Sequence, residues 1–273
     1  MRLFYYALGV VCAAYVATAL TLFFTQDRLL LPATPAAPDL RTVPHPGESI
    51  DEWQVGGQYA GYVVTPLNTT PRGTVIVFHG NEESAENKLP LADTFTHTGY
   101  RVVIVEYPGH GRRTGARKMQ AALATSREAL TDTLARWPGP VYLVGESLGA
   151  GMAAQVVRGH EAAISGVLLL TPWDRLVDVA EEHYPLFPAR WILRAPYDSV
   201  AAVAHYTGPL VIVGAQQDEM IPVGHARLFA REHPSASLVI LPGANHDNWF
   251  DVMTQQQWQR VRDLLFQPSS RVQ

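Results

Sequence analysis

The chain has 273 residues, which is enough for one large domain with a well-buried core or for two small ones. Its 25 aspartates and glutamates outnumber its 21 lysines and arginines, and the net charge of -4 offers no basic surface to nucleic acid. Cys12 is the single cysteine. No internal disulfide can form, and neither a thiolate metal site nor a cysteine nucleophile is indicated.

The N-terminal stretch over residues 3–24 contains no charged residue and no proline. As a helix rising about 1.5 Å per residue it would cover roughly 30 Å, the thickness of a bilayer core. This predicts a membrane anchor over residues 1–26. Arg2 precedes the stretch and the pair Asp27-Arg28 follows it, a bias that favours an exported, periplasmic or extracytoplasmic remainder.

Two alternatives to an uncleaved anchor remain open. The segment Ala17-Thr18-Ala19 has the small-x-small form that signal peptidase cleaves. Against cleavage, apolar residues continue through Phe24, beyond the length that a signal peptide needs. The other alternative is a hydrophobic helix buried in the folded domain.

Residues 27–49 are predicted to form an extended linker, because proline excludes regular helix. The prolines of this segment are Pro32, Pro35, Pro38, Pro44 and Pro46. One folded domain should occupy residues 50–273. Since its core is expected after residue 50, a chain without residues 1–26 should remain folded and soluble.

The rest of the chain alternates apolar, β-branched runs with amphipathic stretches. The strand candidates are YAGYVVTP, TVIVFHG, YRVVIVEYPG, PVYLVGES, SGVLLLTP, PLVIVGAQ and SLVILPGA, and the helix candidates include 119–136, 148–159, 224–232 and 249–266. Strands without polar alternation have both faces covered. The pattern predicts an α/β fold, a mostly parallel twisted sheet with helices on both faces, preceded by an antiparallel hairpin near 53–65.

A segment over about residues 172–205 contains no strand candidate and is interrupted by Pro185, Pro188 and Pro196. Such an excursion beyond the C-terminal end of a strand is typical of a lid or a pocket wall. Its apolar side chains either bind an acyl chain or pack the lid onto the sheet.

The motif Gly145-Glu146-Ser147-Leu148-Gly149 matches G-x-S-x-G between a predicted strand and a predicted helix of small residues. A serine on that turn presents its hydroxyl above the sheet, and the glycines avoid Cβ clashes. We therefore interpret Ser147 as a nucleophile. The alternative is an ordinary glycine-rich turn.

A serine nucleophile needs a histidine base and a carboxylate that orients it. Asp218 follows the strand PLVIVG and His246 follows the strand SLVILPGA, so both should lie at the same sheet edge as Ser147. Other candidates for the acid are Asp174, Asp198, Glu219 and Asp247. For His246, the alternative is a surface residue at a helix N terminus.

The backbone N–H groups of Leu148 and of Asn81, or else of Glu82, are candidates for an oxyanion hole. His79, at the end of a buried strand, is interpreted as structural, and His110 as a turn or pocket-wall residue. The histidines show no metal-ligand spacing, and there is no phosphate loop or dinucleotide fingerprint. No metal and no cofactor is predicted.

The segments FHGNEES, EYPGHGRRTG, YLVGESLGAGMAA, GAQQDEMIP and GANHDNWF resemble the α/β-hydrolase superfamily, in particular its BEM46-like or ABHD13/ABHD17-like serine hydrolases. The resemblance covers about residues 50–266, with DRLLLP at 27–32 upstream. It implies an esterase, thioesterase or depalmitoylating enzyme with a Ser147, Asp218 and His246 triad. The chain departs where Arg112-Arg113 follow the loop glycines in place of a small serine, which affects the charge preference of the pocket.

The predicted function is hydrolysis of a carboxylic ester or thioester through an acyl-serine intermediate, with a small-molecule or lipid acyl ester as substrate. The same triad can serve an aminopeptidase, an acyltransferase or a haloperoxidase, because the fold does not select the substrate. A catalytically idle, membrane-tethered binding protein is the alternative outside enzymes.

Overall fold

A single eight-stranded sheet forms the centre of the molecule in the computed structural model, which describes residues 1–267. Its strands are β1 (Glu48–Val55), β2 (Gln58–Pro66), β3 (Thr74–Phe78), β4 (Arg101–Val105), β5 (Val141–Glu146), β6 (Gly166–Leu170), β7 (Leu210–Ala215) and β8 (Ser237–Leu241). Their order across the sheet is β1-β2-β4-β3-β5-β6-β7-β8.

The sheet is parallel from β4 to β8 and antiparallel at its N-terminal edge. Strands β1 and β2 form an antiparallel hairpin, and β2 pairs antiparallel with β4. The remaining pairings are parallel. This arrangement confirms the predicted fold class. It also directs the loops after β3, β5, β7 and β8 to one sheet edge.

The α-helices of the described part are α1 (Arg2–Leu30), α2 (Leu89–Thr96), α3 (Met119–Arg136), α4 (Leu148–Val157), α5 (Leu176–His183), α6 (Ala189–Ile192), α7 (Ser199–Val203), α8 (Gly224–Glu232), α9 (Trp249–Val252) and α10 (Gln255–Leu265). Two differ from the prediction. Helix α2 was not predicted, and the single helix expected over 249–266 is interrupted at Met253. There Thr254 begins α10 with a capping box, accepting from the Gln257 N–H and donating its own N–H to the Gln257 side chain.

Buried apolar side chains cover both faces of the sheet. One cluster lies under α3, α4 and α8, and the other under α2, α9 and α10. Leu31 and Leu40 belong to these clusters with exposed fractions of 1% and 8%. The segment predicted as a linker therefore also contributes side chains to the core. The prediction that the core begins only after residue 50 did not include them.

Helix α1 is 29 residues long, and none of its most apolar 18-residue window is buried against the protein. It is long and apolar enough to cross a membrane. Three short helices, α5 to α7, stand between β6 and β7 in the segment predicted as a lid. We use "the lid" for residues 172–205 below.

Candidate active site

Ser147 lies on a strained turn between β5 and α4. Its backbone has φ 53° and ψ -116°, a conformation that costs a residue with a side chain about 1–3 kcal/mol. A Cβ on Gly145 would lie 2.1 Å from the Gly149 carbonyl oxygen, and one on Gly149 would lie 2.1 Å from the Phe78 carbonyl oxygen. Only glycine fits at these two positions, so the turn requires the glycines of the motif.

His246 and Asp218 reach Ser147 from the loops after β8 and β7. His246 Nε2 lies 3.0 Å from Ser147 Oγ, and His246 Nδ1 lies 2.8 Å from Asp218 Oδ2. The other carboxylate oxygen, Asp218 Oδ1, accepts the backbone N–H groups of Met220 at 3.0 Å and Ile221 at 2.7 Å. The structure thus brings together the three residues predicted from sequence, and it fixes the carboxylate on both of its oxygens.

The charges around His246 favour its protonated form. Burial lowers the pKa of His246, but the hydrogen bond to Asp218 and the negative charges of Asp218, Glu146 and Asp247 outweigh burial, and its pKa is raised above the ordinary value. The carboxylate would stabilise the imidazolium that forms when the ring accepts the Ser147 hydroxyl proton.

Two cavities open on either side of the Ser147 hydroxyl. The polar cavity, of about 290 Å³, is lined by Gly80, Asn81, Glu82, Glu83, Glu146, Ser147, Met220, His246 and Asp247. The apolar cavity, of about 450 Å³, is lined by Leu29, Leu30, Asn81, Ser147, Leu148, Trp173, Leu176, Val179, Ala180, His183, Tyr184, Met220 and Ile221. The serine is therefore accessible from a polar side and from an apolar side.

The candidate oxyanion residues lie at the junction of these cavities. Asn81 lines both of them, whereas Glu82 lines only the polar one. Leu148 is the first residue of α4, so its backbone N–H has no acceptor within the helix. This arrangement favours Asn81 over Glu82 as the partner of Leu148.

An ion network around the buried Lys88, which the sequence did not reveal, supports both loops at Ser147. Lys88 lies 2.6 Å from Glu83 and forms a second ion pair with Glu146, the residue before the serine. Glu146 also accepts from Trp249 Nε1 at 2.7 Å, and Glu83 accepts the Gly80 N–H at 2.9 Å. Burial lowers the pKa of Lys88, but the two carboxylates outweigh burial and raise its pKa. The network joins the loop after β3 to the end of β5.

His79 is fully buried, and its Nε2 lies 2.9 Å from Glu106 Oε1. Its other ring nitrogen, Nδ1, lies 2.7 Å from the Gly80 carbonyl oxygen. These contacts fix the start of the loop after β3 and support the structural role predicted for His79. His110 is also fully buried and lies near His79, with ring centroids 5.6 Å apart and ring planes tilted by 53°.

The two arginines that distinguish this chain from the family pattern point away from both cavities. Arg112 donates to the Tyr62 hydroxyl at 2.8 Å and lies over the Tyr59 ring. Arg113 donates to the Glu106 carbonyl oxygen at 2.7 Å. Their positive charges therefore do not set the charge of the lining at Ser147.

Two of the rival acids, Asp174 and Asp198, contact other groups. Asp174 Oδ1 lies 2.5 Å from His225 Nδ1, in a buried pair that does not include His246. Asp198 caps α7 by accepting the Ala201 N–H at 2.7 Å. Within residues 1–267, no group of three or more His, Cys, Asp or Glu side chains is arranged to hold a metal ion.

Comparisons with known proteins agree with this fold. Residues 69–195 match the family model described as serine aminopeptidase, S33. An uncharacterised protein of Mycobacterium tuberculosis strain H37Rv is 26% identical over 247 residues, which cover 88% of this chain and 87% of that protein. The lysophosphatidylserine lipase ABHD12 of Macaca fascicularis is 26% identical over 167 residues, 54% of this chain and 42% of the lipase. The esterase Pf2001 of Pyrococcus furiosus has a similar structure, with a TM-score of 0.67 at 16% identity over 88% of this chain and 98% of the esterase.

A mostly parallel sheet with a serine on its central strand-to-helix turn defines the α/β-hydrolase class of fold. The chain has this fold, as its motifs predicted, and residues 69–195 and the relatives above are similar to α/β hydrolases. The BEM46-like or ABHD13/ABHD17-like subtype stays a prediction.

Proposed function

We propose that this chain is a membrane-anchored serine hydrolase that cleaves carboxylic esters or thioesters through an acyl intermediate on Ser147. The observation that carries the proposal is the continuous hydrogen-bonded relay from Ser147 through His246 to Asp218. A serine hydroxyl is a weak nucleophile without such a base.

In the proposed reaction, His246 Nε2 accepts the Ser147 proton as Oγ attacks the substrate carbonyl carbon. The N–H groups of Leu148 and Asn81 stabilise the oxyanion that results. His246 then donates the proton to the leaving alcohol or thiol, and the acyl group remains on Ser147. A water molecule, deprotonated by His246, attacks this ester, and His246 returns the proton to Ser147 Oγ as the acyl–oxygen bond breaks and the carboxylic acid is released.

The lining of the two cavities supports an acyl ester as the substrate. Leu176, Val179 and Ile221 give the larger cavity an apolar wall that suits an acyl chain. The smaller cavity is polar and would accept the leaving group. A relative named a lysophosphatidylserine lipase is consistent with a lipid ester.

An aminopeptidase is a second candidate, because Glu82 and Asp247 in the polar cavity offer carboxylates to a substrate amino group. Comparing p-nitrophenyl esters with aminoacyl p-nitroanilides would distinguish the two. We expect the esters to be turned over faster, and a preference for the anilides would replace the esterase proposal.

The decisive experiment combines fluorophosphonate labelling with a p-nitrophenyl ester series. Ser147→Ala should abolish labelling and reduce kcat by about 10⁶, with a residual rate from the oxyanion hole. Ser165→Ala, a half-buried serine before β6, is the matched control and should label normally. Labelling that persists in a folded Ser147→Ala protein would end the proposal.

For location, we propose that α1 is an uncleaved anchor and that the catalytic domain faces the periplasmic or extracytoplasmic side. The length of the apolar stretch supports an anchor. Arg2, which precedes the stretch, supports this orientation. A reporter fused after Gln273 should be active in an assay specific for exported proteins. Activity in the cytoplasmic assay alone would reverse the topology.

A further inference from the structure

The C-terminal end of α1 forms part of the site. Leu29 and Leu30, in its last turn, line the apolar cavity together with Ser147 and Leu148. The opposite wall of that cavity comes from the lid, including Ala180. The anchor helix is therefore a wall of the pocket as well as a candidate tether.

A second apolar cavity, of about 90 Å³, lies between α1 and the lid. Its walls include Leu22 and Gln26 of α1 and Ile192 of the lid. It shares four residues with the apolar cavity at Ser147: Leu29, Leu30, Ala180 and Tyr184. These four side chains separate the two cavities. We use "the passage" for the path along α1 that the two cavities would form if this narrow point between them opened.

Polar contacts fix the lid to α1 beside this passage. The Gln26 side chain donates to the Ile192 carbonyl oxygen at 3.1 Å and accepts the Arg194 N–H at 2.7 Å. Arg194 also pairs with Asp27 at 2.5 Å. Gln26 is only 7% exposed, and both its amide nitrogen and its amide oxygen form hydrogen bonds with the lid. A buried amide needs such partners, so this contact between α1 and the lid is specific.

The tip of the lid, residues 184–191, lies against the middle of α1. The Tyr15 hydroxyl donates to the Leu186 carbonyl oxygen at 2.9 Å, and the Tyr15 and Phe187 rings stack with centroids 5.0 Å apart. Tyr15 precedes Phe24, the end of the apolar stretch, by nine residues, about 14 Å at the helical rise. If α1 spans a bilayer, the tip therefore lies within the acyl-chain region of the leaflet next to the catalytic domain.

The exposed side chains of the tip suit that position. Trp191 is 82% exposed and Leu186 is 79% exposed. Large apolar groups at this exposure mark an interaction surface when they are clustered. The charged side chain among them, Arg190, forms a bidentate pair with Glu181 at 3.0 and 3.1 Å, and its long stem allows the guanidinium to reach the headgroup level.

We propose that the lid tip enters the bilayer beside α1, and that the acyl chain of a membrane lipid reaches Ser147 laterally through the apolar passage between α1 and the lid. The catalytic part of this inference rests on the proposed function. By this route the acyl chain moves from the acyl-chain region of the bilayer directly into an apolar passage, so its apolar surface is not exposed to water. The ester group would arrive at Ser147 with the head group in the polar cavity.

Insertion of the tip can be measured without any catalysis. The full-length protein is reconstituted in phosphatidylcholine vesicles whose acyl chains carry bromine, a short-range quencher of tryptophan fluorescence. Trp191 should be quenched, so the quenched fraction should fall in Trp191→Phe. Trp258→Phe, which removes a buried tryptophan of α10, should leave the quenched signal in place. Equal quenching of wild type and Trp191→Phe would overturn the insertion.

The passage is tested at its narrow point. Ala180→Phe, and independently Leu29→Trp on the opposite wall, should each raise the ratio of kcat/KM for p-nitrophenyl acetate over p-nitrophenyl laurate at least tenfold. Each excluded methylene of an acyl chain changes kcat/KM by roughly tenfold or more. Ala201→Phe, on the exposed side of α7, is the matched control and should keep the wild-type ratio.

An unchanged ratio in both wall variants would overturn the passage. A wrong passage and a wrong catalytic function would give different experimental results. If Ser147→Ala retained acetate hydrolysis, the serine mechanism would be wrong whatever the ratio, and tryptophan quenching would still report the position of the lid.

Discussion

Asp218 and Asp174 each lie beside a histidine ring, but only the ring beside Asp218 reaches a serine. The Asp218 partner, His246, has its second ring nitrogen 3.0 Å from Ser147 Oγ. The Asp174 partner, His225, has its second ring nitrogen 3.3 Å from Glu182 of α5. The first pair is placed for proton transfer, and the second joins the lid to α8.

Asn substitutions should separate the two aspartates. Asp218→Asn should reduce kcat by about 10⁴ with little change in stability, because the imidazole loses the acceptor that selects its tautomer. Asp174→Asn should instead reduce the free energy of unfolding, by about 3–5 kcal/mol if it acts as a broken buried ion pair. Esterase kinetics and urea unfolding of both variants measure the two effects.

The opposite pattern would reassign the acid. A large loss of kcat in a stable Asp174→Asn protein, with near-normal activity in Asp218→Asn, would move the catalytic carboxylate to Asp174. Asp198→Asn serves as a control for loss of an aspartate in the lid. It should change stability by less than about 1 kcal/mol, because the Asn side-chain oxygen can still cap α7, and it should leave kcat near the wild-type value.

The pH profile should depend on Asp247. His246 acts as a base only when neutral, so kcat/KM should fall as the pH drops through the pKa of His246. Because that pKa is raised, the fall should begin at a higher pH than for an ordinary histidine. Asp247→Asn removes one of the charges that raise the pKa and should move the acid limb to lower pH. Asp251→Asn, an exposed aspartate of α9, is the control, and an equal shift in both variants would contradict the assignment.

Removal of the Lys88 ammonium should destabilise the fold. In Lys88→Met, the carboxylates of Glu83 and Glu146 would lose the cation that compensates them, and the free energy of unfolding should fall by about 3–5 kcal/mol. Lys118→Met, at an exposed lysine, should stay within about 0.5 kcal/mol of wild type. Urea unfolding measures both. Equal stabilities would show that the network contributes no net stability.

The parts of this site that the sequence predicted are those with a local signature. The turn around Ser147 follows from glycines two residues away on each side, and Asp218 and His246 follow from their positions after apolar strands. The mostly parallel direction of the strands was also predictable, because continuous apolar runs are typical of strands whose two faces are both covered. These features depend on a few neighbouring residues.

The parts that the sequence did not predict depend on contacts between distant segments. Lys88 meets Glu146 across 58 positions of the chain, and Gln26 meets Arg194 across 168. Nothing in the local pattern distinguishes Lys88 from a solvated lysine or Leu30 from the rest of an apolar helix. Helix α2 was missed although Pro90 in its first turn is compatible with a helix start, because the stretch is short and lacks a side-chain cap.

Truncation of α1 should show where the anchor ends and the catalytic domain begins. A chain without residues 1–20 keeps Gln26, Leu29, Leu30 and Leu31, and should be soluble with near-native stability. A chain without residues 1–31 loses Leu29 and Leu30, the α1 wall of the passage, and the buried side chain of Leu31. It should be less stable by at least about 2 kcal/mol, the lower range for removing a buried leucine side chain.

The longer truncation should also hydrolyse p-nitrophenyl laurate less well relative to acetate, because the acyl wall formed by α1 is gone. Leu31→Ala in the full-length chain separates the two effects, since it should reduce stability by about 2–5 kcal/mol while Leu29 and Leu30 remain in place and keep the laurate preference. Urea unfolding and the ester series on all three proteins provide the measurements. If the chain lacking residues 1–31 matched the chain lacking residues 1–20 in both, α1 would be a tether alone, and its last turn would contribute neither to the core nor to the pocket.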